Sequence, residues 1–199
     1  MKLVCAILAA GRSSRMGTQK LLLPVDGLSL LERALAAAAA HPAIAVVSPA
    51  LLEHVAPRPG LTVLVNAEPE RGMTRSLALA DAAVTDRDAA LAVLLGDTPL
   101  VDADLLARVA ANLGEADVAY PIHEGRPGHP VVFGPRPRAM LAAWPEGDSL
   151  RALRDDARWR RAPLPVAGEA PFLDVDAPAD LERAAAHAAL EPRARSRGS

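Results

Sequence analysis

Short, almost uniformly apolar runs recur along the chain, and stretches with helical spacing of apolar positions lie between them. Residues 2–8, 44–48, 61–66, 90–95 and 118–121 read as strands, because each is brief and rich in aliphatic side chains. Residues 73–84, 102–113 and 136–144 read as helices. Another helix follows Ser29, where Leu30, Leu31 and Leu35 lead into an alanine run: the serine caps it and Pro42 stops it after His41. Residues 129–133, 162–166 and 172–175 read as shorter strands, and residues 178–190 as a closing helix, with Pro178 in its first turn and Asp180 and Glu182 near its positive end. Strands that are apolar throughout need cover on both faces. Alternating with helices, they predict an α/β fold with a mainly parallel central sheet covered on both sides.

In such a sheet, ligands bind beyond the carboxyl ends of the strands. Two loops hold that position: residues 11–20, after the first strand, and Gly96-Asp97-Thr98-Pro99, after residues 90–95. The first reads as a phosphate site. Gly11 and Gly17 allow close backbone approach to a ligand, and Arg12, Arg15 and Lys20 bring positive charge to the same place. It is not a P-loop, since five residues separate the two glycines and Thr18-Gln19 intervene before Lys20; Gly-x-Gly-x-x-Gly is also absent. Taken alone, the loop reads equally as a basic surface turn.

Composition narrows the possibilities. The 199 residues suit one domain, taken as residues 1–190, and the polar, basic residues 191–199 are expected to be a disordered tail. The chain is 51% hydrophobic but only 3% aromatic, so the core is aliphatic. A net charge of −2 argues against a nucleic-acid surface, and no apolar run is long enough to span a bilayer. The single cysteine, Cys5, lies in the first apolar run and reads as a buried residue of a cytoplasmic protein.

Two acidic features stand out. Asp97 ends a wholly apolar strand, where a carboxylate either holds a hard cation opposite the phosphate loop or serves a turn. In Asp174-Val175-Asp176 alternation puts both carboxylates on one face of an extended segment, either for a ligand or to cap the following helix.

Collinear from residue 3 to about residue 190, the chain resembles the MobA-like nucleotidyltransferases, in particular their molybdenum-cofactor cytidylyltransferase branch. The matching pieces are Leu8-Ala-Ala-Gly-Arg-Ser-Ser-Arg-Met-Gly-Thr-Gln-Lys20, Asn66, Gly72-Met73, Ser76-Leu77, Gly96-Asp97-Thr98-Pro99-Leu100, Gly128-His129-Pro130, Gly147-Asp148-Ser149 and the run from Asp174 to Leu181. The resemblance implies a three-layer, Rossmann-like nucleotidyltransferase fold. It implies a nucleoside triphosphate held by Leu8, Ala9, Ala10, Gly11, Arg12, Ser13, Ser14, Arg15, Gly17 and Lys20, with Asn66 and Ser76 on the nucleotide or acceptor side. Arg15, Lys20 and Asp97 would be catalytic, Asp97 and Asp176 would hold Mg²⁺, and His129 and Asp148 would face the acceptor. Leu-Ala-Ala-Gly goes with cytidylyl transfer in this family, which favours CTP. Two positions depart from the branch: no glycine follows Ser149 in the Gly-Asp segment, and Ala177 replaces a threonine before Pro178.

The implied reaction is attack by a phosphate monoester, such as molybdopterin, on the α-phosphorus of CTP, with pyrophosphate leaving. An acceptor phosphate is already anionic near neutral pH, so no strong general base is needed, in keeping with the lack of a Ser-His-Asp or Cys-His set. Transfer to a sugar or polyol phosphate, or from GTP, is the alternative within the class. Outside it stand a non-catalytic cofactor carrier serving a molybdoenzyme client and an oxidoreductase on the same scaffold, the latter disfavoured by the absent dinucleotide fingerprint.

Overall fold

The computed structural model describes residues 1–11, 19–145 and 149–195. Strand β1 (Leu3–Ala9) opens the chain. After a 3₁₀ turn at Lys20–Leu22, a two-residue hairpin, β2 (Pro24–Val25) and β3 (Leu28–Ser29), leads into helix α1 (Leu30–Ala37). There follow β4 (Ala43–Val47), β5 (Leu61–Val65), α2 (Met73–Ala83), β6 (Ala90–Leu95) and α3 (Ala103–Asn112). The second half holds β7 (Val118–His123), β8 (Arg126–Pro127), β9 (Val131–Phe133), the short helices α4 (Pro135–Arg138) and α5 (Leu150–Asp155), β10 (Arg161–Pro165) and α6 (Pro178–Arg195).

The main sheet runs β10-β7-β9-β6-β1-β4-β5, with β8 beside β7. It is the mainly parallel sheet that the apolar runs predict: β1 pairs in parallel with β4 and β6, β4 with β5, and β7 with β10, whereas β9 enters antiparallel between β6 and β7. Strand pleating divides β1 between two cores. Cys5, Ile7 and Ala9 face the side covered by α1, α3 and α6, where Leu31, Leu106 and Ala184 pack, while Ala6 and Leu8 face Leu77 and Ala80 of α2. Aliphatic side chains dominate both cores, with Tyr120, Phe133 and Trp159 in the second, and burial pushes the Cys5 thiol up to about 12.

Several local expectations change. Residues 172–175 form no strand: a 3₁₀ turn at Ala170–Phe172 precedes them, and the Val175 N–H donates to the Asp97 carbonyl at 2.9 Å instead of to a strand partner. Residues 136–144 do not make one helix, because α4 ends after four residues and a separate 3₁₀ turn follows at Leu141–Ala143. The closing helix α6 has the bounds Pro178–Arg195, five residues longer than the 178–190 read from the pattern. Among the described residues no helix is long and apolar enough to cross a membrane.

Candidate active site

Strands β1 and β6 are neighbours, and their carboxyl ends open onto a cleft of about 180 Å³. Its floor is the continuation of β1, Leu8 to Gly11, where small side chains leave the backbone accessible. Lys20 and Leu21 close one side, and Leu95 and Asp97 at the end of β6 form another. Opposite them stand Gly72, Met73 and Ser76, so the amino end of the eleven-residue α2 faces the cleft with its partial positive charge. Gly72 joins the preceding turn to α2 at φ 90°, in the left-handed region where a side chain would be strained.

Lys20 is the electrostatic centre of this region. Its Nζ donates to Asp97 Oδ2 at 2.9 Å, to Asp176 Oδ1 at 2.8 Å and to the Val175 carbonyl at 2.9 Å. Burial works against its charged form, but the hydrogen bonds to Asp176 and Asp97 outweigh that, and its pKa is raised. The two carboxylates thus converge on one cationic position from segments far apart in sequence. Asp176 is set there by the turn into α6, where Asp180 Oδ2 accepts from the N–H groups of Asp176 and Ala177 at 3.1 and 2.9 Å. Desolvation by the surrounding chain, then the charges of Asp97 and Asp176, push the neighbouring Asp174 carboxyl up to about 6.

A second, wider cavity of about 570 Å³ lies on the other side of Leu95. Thr98, His129, Asp174 and Phe172 line it, together with Arg126, Arg151 and Arg154. His129 Nδ1 lies 3.2 Å from the Val93 carbonyl, and because a carbonyl can only accept, that nitrogen carries the proton and Nε2 presents a lone pair. Burial lowers the imidazole pKa, against the opposing pull of the Val93 bond and Asp97, so the ring is neutral near pH 7.

Of the residues singled out in the sequence, Leu8, Ala9, Ala10, Gly11, Lys20, Ser76 and Asp97 meet in the first cleft, and His129 lies in the second. Asp176 reaches the first through Lys20. Asn66 does not line either cavity. It is 1% exposed, and its amide is used internally, donating to Ser76 Oγ at 2.9 Å and accepting from the Glu68 N–H at 2.9 Å, so it positions Ser76. Arg12, Ser13, Ser14, Arg15, Gly17 and Asp148 lie outside the described residues. The three arginines of the second cavity were not singled out, although Arg151 and Arg154 stand three apart directly after Gly147-Asp148-Ser149, a spacing that puts both on one helix face.

Among the described residues no three His, Cys, Asp or Glu side chains form a metal centre. The protein ligands for a divalent ion would be the two carboxylates that Lys20 now bridges, with phosphate and water oxygens completing its shell, a donor set that suits Mg²⁺ or Mn²⁺.

Known proteins resemble the chain in sequence and in fold. Residues 5–162 match the family described as the MobA-like NTP transferase domain. The bifunctional protein GlmU of Rhodospirillum rubrum is 35% identical over 143 residues, which make up 67% of this chain but only 31% of that protein, so the chain spans about a third of that relative's length. The molybdenum cofactor cytidylyltransferase of Escherichia coli is 28% identical over 143 residues, 69% of this chain and 72% of the relative. The crystal structure of Rv0371c from Mycobacterium tuberculosis superposes with a TM-score of 0.82 at 27% identity, covering 94% of this chain and 98% of the other. The same mycobacterial protein in complex with manganese gives 0.79 at 25% identity, covering 94% and 99%. By its matched sequence and by its sheet, the chain belongs to the MobA-like NTP transferase family and is a nucleotidyltransferase domain.

Proposed function

We propose that this protein transfers CMP from CTP to a phosphate monoester acceptor, molybdopterin being the acceptor of choice, and releases pyrophosphate. The observation that carries the reading is the convergence of Asp97 and Asp176 on Lys20, at the end of the strand whose Leu95 separates the two cavities. CTP rather than another nucleotide is supported by Leu8-Ala-Ala-Gly11 together with the likeness to the cytidylyltransferase of Escherichia coli.

In this reading the cytidine end of CTP lies over Ala9, Ala10 and Gly11, where only small side chains intervene, and the triphosphate lies toward Lys20; the family resemblance adds Arg12, Ser13, Ser14, Arg15 and Gly17 as its further partners. Ser76, held by Asn66, and the amino end of α2 supply hydrogen-bond donors along the opposite wall. The acceptor occupies the second cavity, with His129 beside it, and the family resemblance adds Asp148 as a further acceptor residue. An oxygen of its phosphate attacks the α-phosphorus and forms the new P–O bond. The bond from that phosphorus to the bridging oxygen breaks, and pyrophosphate leaves with the electron pair. No proton has to be removed, so catalysis is alignment and charge neutralisation. Lys20 and Arg15 stabilise the charge that develops on the α-phosphate and the leaving group, while Asp97 and Asp176 would hold Mg²⁺. When bound, that ion neutralises the triphosphate and draws its oxygens into one fixed orientation.

The test is pyrophosphate release with Mg²⁺ and each of CTP, GTP, UTP and ATP, with and without molybdopterin. Molybdopterin-dependent release with CTP, lost in Lys20→Ala and Asp97→Ala, is the expected result. Release only with another nucleotide would overturn the choice of CTP. Turnover with sugar or polyol phosphates but not molybdopterin would reassign the acceptor, and tight molybdopterin binding without turnover would make the protein a carrier for a molybdoenzyme client.

A further inference from the structure

Three arginines line the second cavity, but Arg154 is unlike Arg126 and Arg151 in how little freedom it keeps. The residue is 7% exposed. Its Nε donates to one carboxylate oxygen of Asp155 at 2.8 Å and its Nη2 to the other at 2.7 Å, which fixes the plane of the guanidinium. The Tyr120 ring on β7 lies against that plane, 5.2 Å from the ζ carbon to the ring centroid. Nη1 is what remains: among the described residues it has no acceptor, and the side chain that carries it lines the cavity. Nη1 is not among the fully buried polar atoms, so it opens onto the cavity, where an anionic oxygen can take the place of water on a charged donor that is already held in position.

His129 lies in the same cavity and close enough for the Arg154 charge to act on it. With its Nδ1–H committed to the Val93 carbonyl, the ring offers only the Nε2 lone pair. The cavity therefore presents a fixed, charged donor beside a neutral acceptor. Three guanidinium groups against the carboxylates of Asp155 and Asp174 also leave it with an excess of positive charge.

We infer that Arg154 is a specificity-determining residue for the acceptor, its Nη1 edge binding an anionic oxygen while His129 Nε2 takes a hydroxyl or N–H hydrogen from the same molecule. The ligand class is a phosphorylated compound with a hydrogen-bond donor near its phosphate. Neutral acceptors are rejected because they leave the Arg154 edge unpaired, and the Asp155 carboxylate and Tyr120 ring are positioning groups that hold the fork ready. The assignment rests on the transferase reading only in calling the ligand an acceptor.

The experiment is calorimetric titration of phenyl phosphate into the full chain saturated with Mg²⁺ and a non-hydrolysable CTP analogue, whose own affinity is measured first. Wild type binds phenyl phosphate, and Arg154→Gln weakens it by about ten- to a hundredfold, the range of one charge-assisted hydrogen bond. The affinity for the CTP analogue stays the same. Arg154→Lys, which keeps the charge but loses the fork, recovers only part of the loss. Where Arg154→Gln does not fold, Asp155→Asn takes its place and weakens phenyl phosphate severalfold by freeing the fork. Unchanged phenyl phosphate affinity in the folded variants, or a parallel loss of both ligands, overturns the assignment. Absence of nucleotide binding in wild type, with phenyl phosphate still dependent on Arg154, would sink the transferase reading and leave the anion site standing.

Discussion

At the scale of single residues, Lys20 decides what the site can hold. Three oxygens within 2.9 Å of its ammonium are the kind of cage a hard cation also takes, so the lysine and a divalent ion compete for the same carboxylates. Lys20→Ala should bind Mn²⁺ more tightly than wild type in the absence of nucleotide, as read by the loss of free-ion electron paramagnetic resonance signal. Its turnover should fall by about 10²–10³, the usual cost of losing one charge stabiliser. Weaker Mn²⁺ binding would mean that Asp97 and Asp176 do not share a cation position. Gly128 is set by a different constraint: a Cβ there would stand 2.4 Å from Phe172 Cδ1, and that ring lines the second cavity. Gly128→Ala should cost about 1–3 kcal/mol in urea unfolding, as overpacking usually does. By displacing the ring it should also raise KM for the acceptor and leave KM for CTP unchanged. The strand-end aspartate stands out in the sequence because it breaks an apolar run, and the structure sets its carboxylate 2.9 Å from Lys20 Nζ. Asn66 shows the limit: nothing in the sequence reveals that its amide is buried and bonded to Ser76 Oγ.

Among the elements, what was legible follows how each is stabilised. Strands β1, β4 and β6 are buried on both faces, so their sequences are apolar without interruption and their limits fall within a residue or two of those read from pattern. The hairpin β2–β3 has two residues per strand, too few for any alternation to register. Helix α5, with six residues and three of its side chains charged, is held by its contacts, and its outline is lost in the sequence. Helix α1 stands at the other extreme, since its start is written locally. Ser29 Oγ accepts from the Glu32 N–H at 3.2 Å, and Glu32 reaches back to the Ser29 N–H at 2.8 Å, closing a capping box. The Ser29 hydroxyl also donates to the Glu32 carboxylate at 2.7 Å, and that bond first, then the one from the Ser29 N–H, lowers the Glu32 pKa. A depressed carboxylate pKa contributes stability above the unfolded value that is lost as pH falls through the folded one. Ser29→Ala should lower stability by about 1 kcal/mol near pH 7, measured by thermal denaturation, and by less once Glu32 is protonated in acid. A loss that did not shrink in acid would take the Glu32 half of the box out of the account.

For the molecule as a whole, the sheet sets the two cavities on either side of β6, and the helices must hold that sheet from both faces. Across the face carrying α2 the tie is polar. Arg138 of α4, 3% exposed, donates through Nε to Asp81 of α2 at 2.7 Å, and its Nη1 donates to the carbonyls of Asp86 and Ala89 just before β6. Arg87 adds a second cation on Asp81 at 3.1 Å. One guanidinium therefore fastens two helices and the entry to the strand that ends in Asp97. Neither residue interrupts an apolar pattern in a way that betrays its partner 57 positions away, which is why this tie was not legible in the sequence. Removing one member of a buried pair strands the other charge, and Asp81→Ala should cost about 3–5 kcal/mol in chemical denaturation. The double change Asp81→Leu with Arg138→Met removes both charges at similar volume and should recover most of that loss. Recovery would assign the cost to the uncompensated charge. A double variant as unstable as the single one would assign it instead to the two carbonyls that Arg138 satisfies, which no apolar side chain can reach. Arg138 Nη2 is buried and has no partner among the described residues, so even the intact pair leaves one donor unsatisfied there, and a well-packed apolar replacement starts with that advantage.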